Sequence, residues 1–230
     1  MSTHAEPSRR DEASRGEKAE KASRRAETVL AHIGTSSDPG TGALTAPIYL
    51  STAYAHPGLG ASTGYDYTRT ANPTRDVLQS ALAQIEGGTA GFATSSGMAA
   101  AELVVSLAAP GSRIVAAEDI YGGTYRYFDE LARTGVYDVD FAIGEQGLCA
   151  ALSKPADLVF IETPTNPMMV EIDIERIVDM GRRAGAIVAV DNTFYTPIFQ
   201  RPLESGADVV LHSATKYLGG HNDVLAGAVI

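Results

Sequence analysis

What the sequence has little of already excludes several classes of protein. Its 230 residues include one cysteine, Cys149, so no disulfide can form within the chain. No apolar run approaches the roughly 20 residues needed to cross a bilayer, and no apolar stretch follows the N-terminal charges as in a secretory signal. Basic residues are outnumbered, and a net charge of −10 argues against nucleic acid or an anionic membrane as a partner. We therefore expect a protein of the reducing cytoplasm.

The charges that are present are unevenly distributed. Residues 1–27 carry 7 basic and 6 acidic side chains and almost no large apolar one. Such a stretch cannot bury enough apolar surface to offset its ordering entropy, so we predict a disordered tail over 1–27 that leads into a short helix ending near His32. Residues 28–230 carry 11 basic and 22 acidic side chains and are long enough for one sizeable domain.

Beyond residue 90, short apolar runs alternate with amphipathic or alanine-rich runs. This alternation predicts a mostly parallel, doubly wound α/β sheet with helices between buried strands. Asn72 and Pro73 are typical of a helix start, and Gly87-Gly88 of its end. The predicted strands cover 91–94, 113–117, 136–142, 158–162, 187–190, 209–211 and the beginning of a run at 225–230, and the further helices run from 97 to 110, 125 to 133 and 174 to 184.

Two charged residues lie at predicted strand ends, where α/β sheets bind ligands. Lys216 ends a Ser-Ala-Thr-Lys segment whose hydroxyls, on Ser213 and Thr215, are suited to a phosphate. Asp191 follows the preceding strand, 25 residues earlier. A carboxylate in that position can keep a pyridine nitrogen protonated, as enzymes that use pyridoxal 5′-phosphate (PLP) require. Taken singly, Lys216 is equally compatible with a surface loop and Asp191 with a capped turn.

Three further segments follow predicted strands. The turn that leads into Gly97 and Met98 opens a helix and predicts a phosphate cradle, although a Ser-capped helix looks the same. Two prolines fix Asn166, whose amide can donate to a phenolate oxygen, or simply form a rigid turn. Tyr121, followed by two glycines, can stack on a flat ring or pack in the core. In a parallel sheet all these strand ends converge, which favours a shared site.

In their joint order, these motifs resemble the Cys/Met-metabolism family of PLP-dependent enzymes, from about residue 27 to 230. That family includes cystathionine γ-synthases, O-acetylhomoserine thiolyases, cystathionine β- and γ-lyases and methionine γ-lyases. The resemblance implies a fold type I large domain over residues 61–230, a PLP-dependent transferase-like fold, preceded by an N-terminal arm over 28–60. The segments that carry it are 65–69, 72–75, 95–98, 121–123, 162–167, 191–193 and 213–216.

The resemblance also implies a role for each matching residue. Lys216 matches the lysine that forms a Schiff base with PLP and moves protons, and Asp191 matches the partner of the pyridine nitrogen. Tyr67 and Arg69 match a pair that reaches the phosphate in the neighbouring subunit, which implies a homo-oligomer, either a dimer or a tetramer. The other matches are Gly97, Met98, Ser213 and Thr215 at the phosphate, Asn166 beside the 3′ oxygen, and Tyr121, which stacks on the ring and acts with Lys216 in catalysis.

Within the family, Gly123 stands where methionine γ-lyases typically carry a cysteine. The sequence of residues 63–75 and 212–223 looks most like that of bacterial cystathionine γ-synthase/O-acetylhomoserine thiolyases, so we expect γ-replacement on an acylated homoserine by cysteine or sulfide. A cystathionine lyase is the alternative. A second alternative is a non-catalytic PLP-binding fragment, because the chain stops in a predicted strand and we expect it to lack the family's C-terminal domain. No metal site is expected, since 221–223 reads as a polar turn.

Overall fold

A computed structural model describes residues 26–35, 38 and 40–230. The predicted tail over residues 1–27 therefore lies almost wholly outside the described residues. The order of elements is α1 (Ala26–His32), α2 (Pro73–Glu86), β1 (Phe92–Thr94), α3 (Gly97–Val105), β2 (Arg113–Ala117), α4 (Gly122–Arg133), β3 (Asp138–Ala142), α5 (Gly144–Ala151), β4 (Leu158–Glu162), α6 (Ile174–Ala184), β5 (Ile187–Asp191), α7 (Thr196–Phe199), β6 (Val209–His212) and β7 (Gly227–Val229).

The strands form one seven-stranded sheet in the order β1-β7-β6-β5-β4-β2-β3. Strands β2 to β6 pair in parallel, whereas β7 lies antiparallel between β1 and β6. All five residues of β4 are buried. Because successive side chains of a strand point to opposite faces, both faces of this central strand are covered, as in other parallel sheets. The carboxyl ends of β2, β4, β5 and β6 therefore meet at one edge of the sheet.

Local signals set the bounds of the helices. The side chain of Asn72 accepts a hydrogen bond from the Thr74 amide at 2.8 Å, and the helix ends at Gly87 in the left-handed conformation. The side chain of Asp173 caps α6 in the same way, and Gly185 ends that helix with φ +81°. Where capping residues are present, the sequence thus predicted both ends of a helix.

Some predicted bounds were wrong. Strand β3 begins at Asp138 rather than at 136. The Val136 amide donates to the Leu131 carbonyl, so this residue forms part of the turn that follows α4. Helix α4 begins at Gly122 rather than at 125, since the Tyr125 amide already bonds to the Tyr121 carbonyl. Helix α5 was not predicted, because two glycines weaken its pattern. The final apolar run does form a strand, β7, and all three of its residues are buried.

The segment between α1 and α2 crosses the surface largely as loop. Several of its apolar side chains are exposed, among them Leu44 at 73%, Ile48 at 77% and Leu50 at 89%. One tie to the domain is the Tyr49 amide, which donates to the Thr74 hydroxyl at 2.8 Å. Within the described residues, no helix has both the length and the apolar character that a membrane crossing needs.

Candidate active site

A cleft of about 140 Å³ lies at the carboxyl edge of the parallel strands. It brings together residues from six separate stretches of chain, as expected where strand ends converge. Eight of the ten predicted site residues line it: Gly97, Met98, Tyr121, Asn166, Asp191, Ser213, Thr215 and Lys216.

The two remaining predicted residues, Tyr67 and Arg69, are not in the lining of the cleft. Both are exposed, and the Arg69 guanidinium lies 5.1 Å from the centre of the Tyr67 ring. The pair therefore presents a positive charge and an aromatic ring at the surface. Its predicted contact with a neighbouring subunit remains a prediction.

Asp191 is the last residue of β5 and is 8% exposed. Its Oδ1 accepts hydrogen bonds from the Thr193 amide at 3.0 Å and the Thr193 hydroxyl at 2.5 Å. Burial raises the pKa of Asp191, and the hydrogen bonds from Thr193 and the charge of His212 oppose that rise. A cationic partner that entered the cleft would stabilise the ionised form further, so this carboxylate suits a pyridinium.

A second carboxylate, which the sequence prediction missed, lies beside Asp191. Glu162 ends β4 directly opposite Asp191 in the parallel pairing, lines the cleft and is 4% exposed. Its Oε2 accepts the Tyr121 amide at 2.5 Å. Burial, with repulsion from Asp191 as the next cause, raises the pKa of Glu162 to about 8. The sequence signal was available, because Glu162 is the single charged residue in the otherwise apolar run 158–162, just as Asp191 is in the run 187–191.

Close packing explains two of the small residues around the cleft. A Cβ atom on Gly97 would lie 2.7 Å from the Ser213 Cβ, so only glycine lets the start of α3 approach the Ser213 segment. A Cβ atom on Gly123 would lie 2.4 Å from the Tyr121 ring. The absent side chain at 123 therefore leaves room for that ring, which is 46% exposed at the cleft.

The helix start at Gly97 supplies backbone N–H groups to the cleft. The Ser96 hydroxyl caps the helix by accepting from the Ala99 amide at 3.1 Å. The first amides of a helix have no partner within it and attract anions. The Thr215 hydroxyl, in contrast, donates to the Ala226 carbonyl and accepts from the Ala226 amide, both at 3.1 Å. Thr215 thus ties the segment to the chain before β7, and its predicted phosphate contact remains untested.

Asn166 and Lys216 complete the lining of the cleft. Asn166 lies in a turn held by Thr165, whose hydroxyl donates to Asp119 at 2.5 Å and accepts from the Val170 amide at 2.9 Å. Lys216 is exposed, and its amide bonds to the Ser213 carbonyl at 3.1 Å. An amine, a buried carboxylate and the start of a helix therefore meet in one cleft. That donor set fits PLP, which presents an aldehyde, a pyridine nitrogen and a phosphate.

Comparison with known proteins supports the same conclusion. The sequence profile of Cys/Met metabolism PLP-dependent enzymes matches residues 27–230. The chain is 53% identical over 212 residues to the cystathionine gamma-synthase/O-acetylhomoserine (thiol)-lyase of Bacillus subtilis, covering 90% of this chain and 56% of that protein. It is 46% identical over 206 residues to the cystathionine gamma-lyase of the same organism, covering 88% and 54%.

Solved structures agree with the sequence comparison. The cystathionine gamma synthase of Xanthomonas oryzae pv. oryzae, solved with aminoacrylate and cysteine, matches with a TM-score of 0.87 at 43% identity, covering 90% of this chain and 54% of that one. The predicted α/β fold of PLP-dependent transferases is thus confirmed. The chain spans about half the length of the curated relatives that it matches. It belongs to the Cys/Met metabolism family of PLP-dependent enzymes.

Proposed function

We propose that the chain forms the PLP-binding part of a transsulfuration enzyme, which replaces the γ-substituent of an acylated homoserine with cysteine or sulfide. The observation that carries this proposal is the meeting of Lys216 and Asp191 in one cleft of a chain that is 53% identical to a γ-synthase/thiol-lyase. The product would serve methionine or cysteine metabolism.

In this proposal Lys216 and Asp191 have separate roles. PLP, when bound, supplies a sink for the electrons left at the substrate's α-carbon. The Lys216 amine takes the α-proton and returns it later in the reaction. The Asp191 carboxylate holds a proton at the pyridine nitrogen, and at an effective dielectric near 20 a close pair of this kind is worth about 4 kcal/mol.

The remaining cleft residues bind and orient. The amides of Gly97 and Met98 at the start of α3, together with the Ser213 hydroxyl, are suited to the phosphate. The Tyr121 ring would stack on the cofactor ring, and the Asn166 side chain would donate to its 3′ oxygen. With the ring held in this way, the α C–H bond of a bound amino acid can be aligned with Lys216, and such alignment contributes a large part of catalysis.

Assembly and location form part of the proposal. Arg69 can pair bidentately with a phosphate, so the exposed Tyr67 and Arg69 are suited to complete the cleft of a second subunit in a homo-oligomer. A single cysteine is compatible with a reducing cytoplasm. The partners that we expect are an amino-acid substrate and further copies of the chain.

A cystathionine lyase is the second candidate. The Lactococcus lactis cystathionine beta-lyase and the Escherichia coli cystathionine gamma-synthase are equally similar to this chain, each at 46% identity. The same Lys216 and Asp191 chemistry serves both reactions. A γ-synthase replaces the substituent on the γ-carbon of an acylated homoserine, whereas a lyase cleaves a carbon–sulfur bond of cystathionine, at the β-carbon in a β-lyase.

To test the proposal, purified protein is incubated with PLP, and γ-replacement and cystathionine cleavage are measured separately. With an acylated homoserine plus cysteine or sulfide we expect release of the acyl group and formation of a thioether or thiol, and with cystathionine alone little cleavage. Lys216→Ala is the control and should lose both reactions. Cleavage of cystathionine without γ-replacement would favour the lyase. Because the chain spans about half of its relatives, we expect higher turnover after fusion to the C-terminal part of a relative.

A further inference from the structure

Behind the floor of the cleft, two ionisable side chains lie fully buried against each other. Glu86 is the last residue of α2 and His212 the last of β6, and both are 0% exposed. His212 Nε2 and Glu86 Oε1 are 2.5 Å apart. The two buried side chains are therefore joined by a hydrogen bond.

A fully buried amide connects this pair to the cleft. Asn192 Nδ2 donates to Glu86 Oε1 at 3.0 Å and to the Gln200 carbonyl at 2.8 Å. The side chain of Gln200, through Nε2, donates back to Asn192 Oδ1 at 3.0 Å. Asn192 directly follows Asp191, and His212 directly precedes Ser213. The pair therefore ties the chain segments of two cleft residues to the end of α2.

The same two segments are tied together on the cleft side. The Thr193 hydroxyl donates to Asp191 and accepts from the Ser213 amide at 2.8 Å. Thr193 thus contacts the Asp191 carboxylate directly, whereas Asn192, the next residue along the chain, is held by Glu86 and Gln200. Asp191 is thus flanked by two sets of contacts, one made by its carboxylate and one made by the residue that follows it.

Stability alone does not explain the buried pair. Replacement of a buried ion pair by well-packed apolar residues is often neutral, or stabilises a protein by about 1–4 kcal/mol. Here Glu86 Oε2 and His212 Nδ1 also have no hydrogen-bond partner within the described part of the chain, which adds a desolvation cost. We propose that Glu86 and His212 are positioning residues, which hold Asp191 and Ser213 at a fixed spacing through the hydrogen bond between them.

This inference rests on the PLP-binding part of the proposed function and not on the identity of the substrate. The test therefore measures two properties of the cofactor complex, the Kd for PLP and the ¹⁵N chemical shift of its ring nitrogen, which reports protonation by Asp191. Glu86→Met keeps the length of the side chain but removes the acceptor. Glu86→Gln keeps an oxygen that can accept from both His212 and Asn192.

A matched control acts on the same strands at their far ends. Asp208 Oδ2 accepts the Val188 amide at 2.8 Å, and Asp208→Asn weakens that contact. We expect Glu86→Met to raise the Kd for PLP about tenfold and to shift the ring nitrogen towards the neutral form. For Glu86→Gln the Kd for PLP should stay within about threefold of the wild-type value, because the glutamine oxygen still accepts the hydrogen bonds. Asp208→Asn should lower Tm and change neither readout.

Three outcomes would overturn the inference. The first is a Glu86→Met protein whose Kd for PLP and ring-nitrogen shift equal those of the wild type. The second is an equal weakening of PLP binding in Glu86→Met and Asp208→Asn when both lower Tm by the same amount. The third is a Glu86→Gln protein that binds PLP as weakly as Glu86→Met. Wild-type protein that fails to bind PLP would overturn the inference together with the cofactor assignment. Wild-type protein that binds PLP but turns over no acylated homoserine would overturn only the proposed reaction.

Discussion

Replacement of Glu162 by glutamine should change how stability depends on pH. The carboxyl is 4% exposed and faces Asp191, and its pKa rises from an ordinary 4.5 to about 8. Below the lower value the group is protonated in both the folded and the unfolded chain. Between the two values the unfolded chain ionises while the folded chain keeps its proton, so the free energy of unfolding falls as pH rises and stays low above pH 8.

The magnitude follows from the size of the pKa shift. At 1.36 kcal/mol per unit, the full rise corresponds to about 5 kcal/mol. Glutamine has the same shape, stays neutral and still offers an oxygen to the Tyr121 amide, so Glu162→Gln should escape the loss. Between about pH 5.5 and about pH 8.5, we expect the variant to gain about 3 kcal/mol on the wild type.

The assay is urea unfolding of the cofactor-free protein, followed by circular dichroism at several pH values. Glu118→Gln is the control, because Glu118 is exposed, and its stability curve should run parallel to that of the wild type. Parallel curves for Glu162→Gln and wild type would refute the assignment of a protonated Glu162. A variant that loses stability relative to the wild type as pH rises would refute it as well.

Three other predictions concern the cofactor site. Asp191→Asn should retain PLP but slow exchange of the substrate's α-proton with deuterium by about a hundredfold or more, since an amide cannot hold the pyridinium; wild-type exchange would remove Asp191 from this role. Mixing Arg69→Ala with Lys216→Ala chains should restore activity in heterodimers that keep one intact cleft, and a verified heterodimer without activity would argue against shared sites. Gly97→Ala should weaken PLP binding and cost about 1–3 kcal/mol of stability, because its Cβ would meet Ser213 at 2.7 Å; unchanged Tm and Kd would contradict the close approach.

The sequence alone determined the type of fold and most of the cleft. Buried parallel strands have near-continuous apolar sequences, so β4 could be predicted from its own residues. Capping residues mark the ends of helices, so α2 could be predicted in the same way. Cleft residues such as Lys216 and Asp191 follow those strands directly. Their convergence is a property of any parallel sheet and needed no coordinates.

Tertiary structure decided what joins residues that are far apart in sequence. Glu86 and His212 are separated by 126 positions, and no local pattern pairs a glutamate in the last turn of a helix with a histidine at the end of a strand. The raised pKa of Glu162 likewise depends on burial and on Asp191 across the sheet. Electrostatic contributions depend on distance and desolvation, which only the packed chain defines, whereas strand and helix patterns depend on the side chains of neighbouring residues.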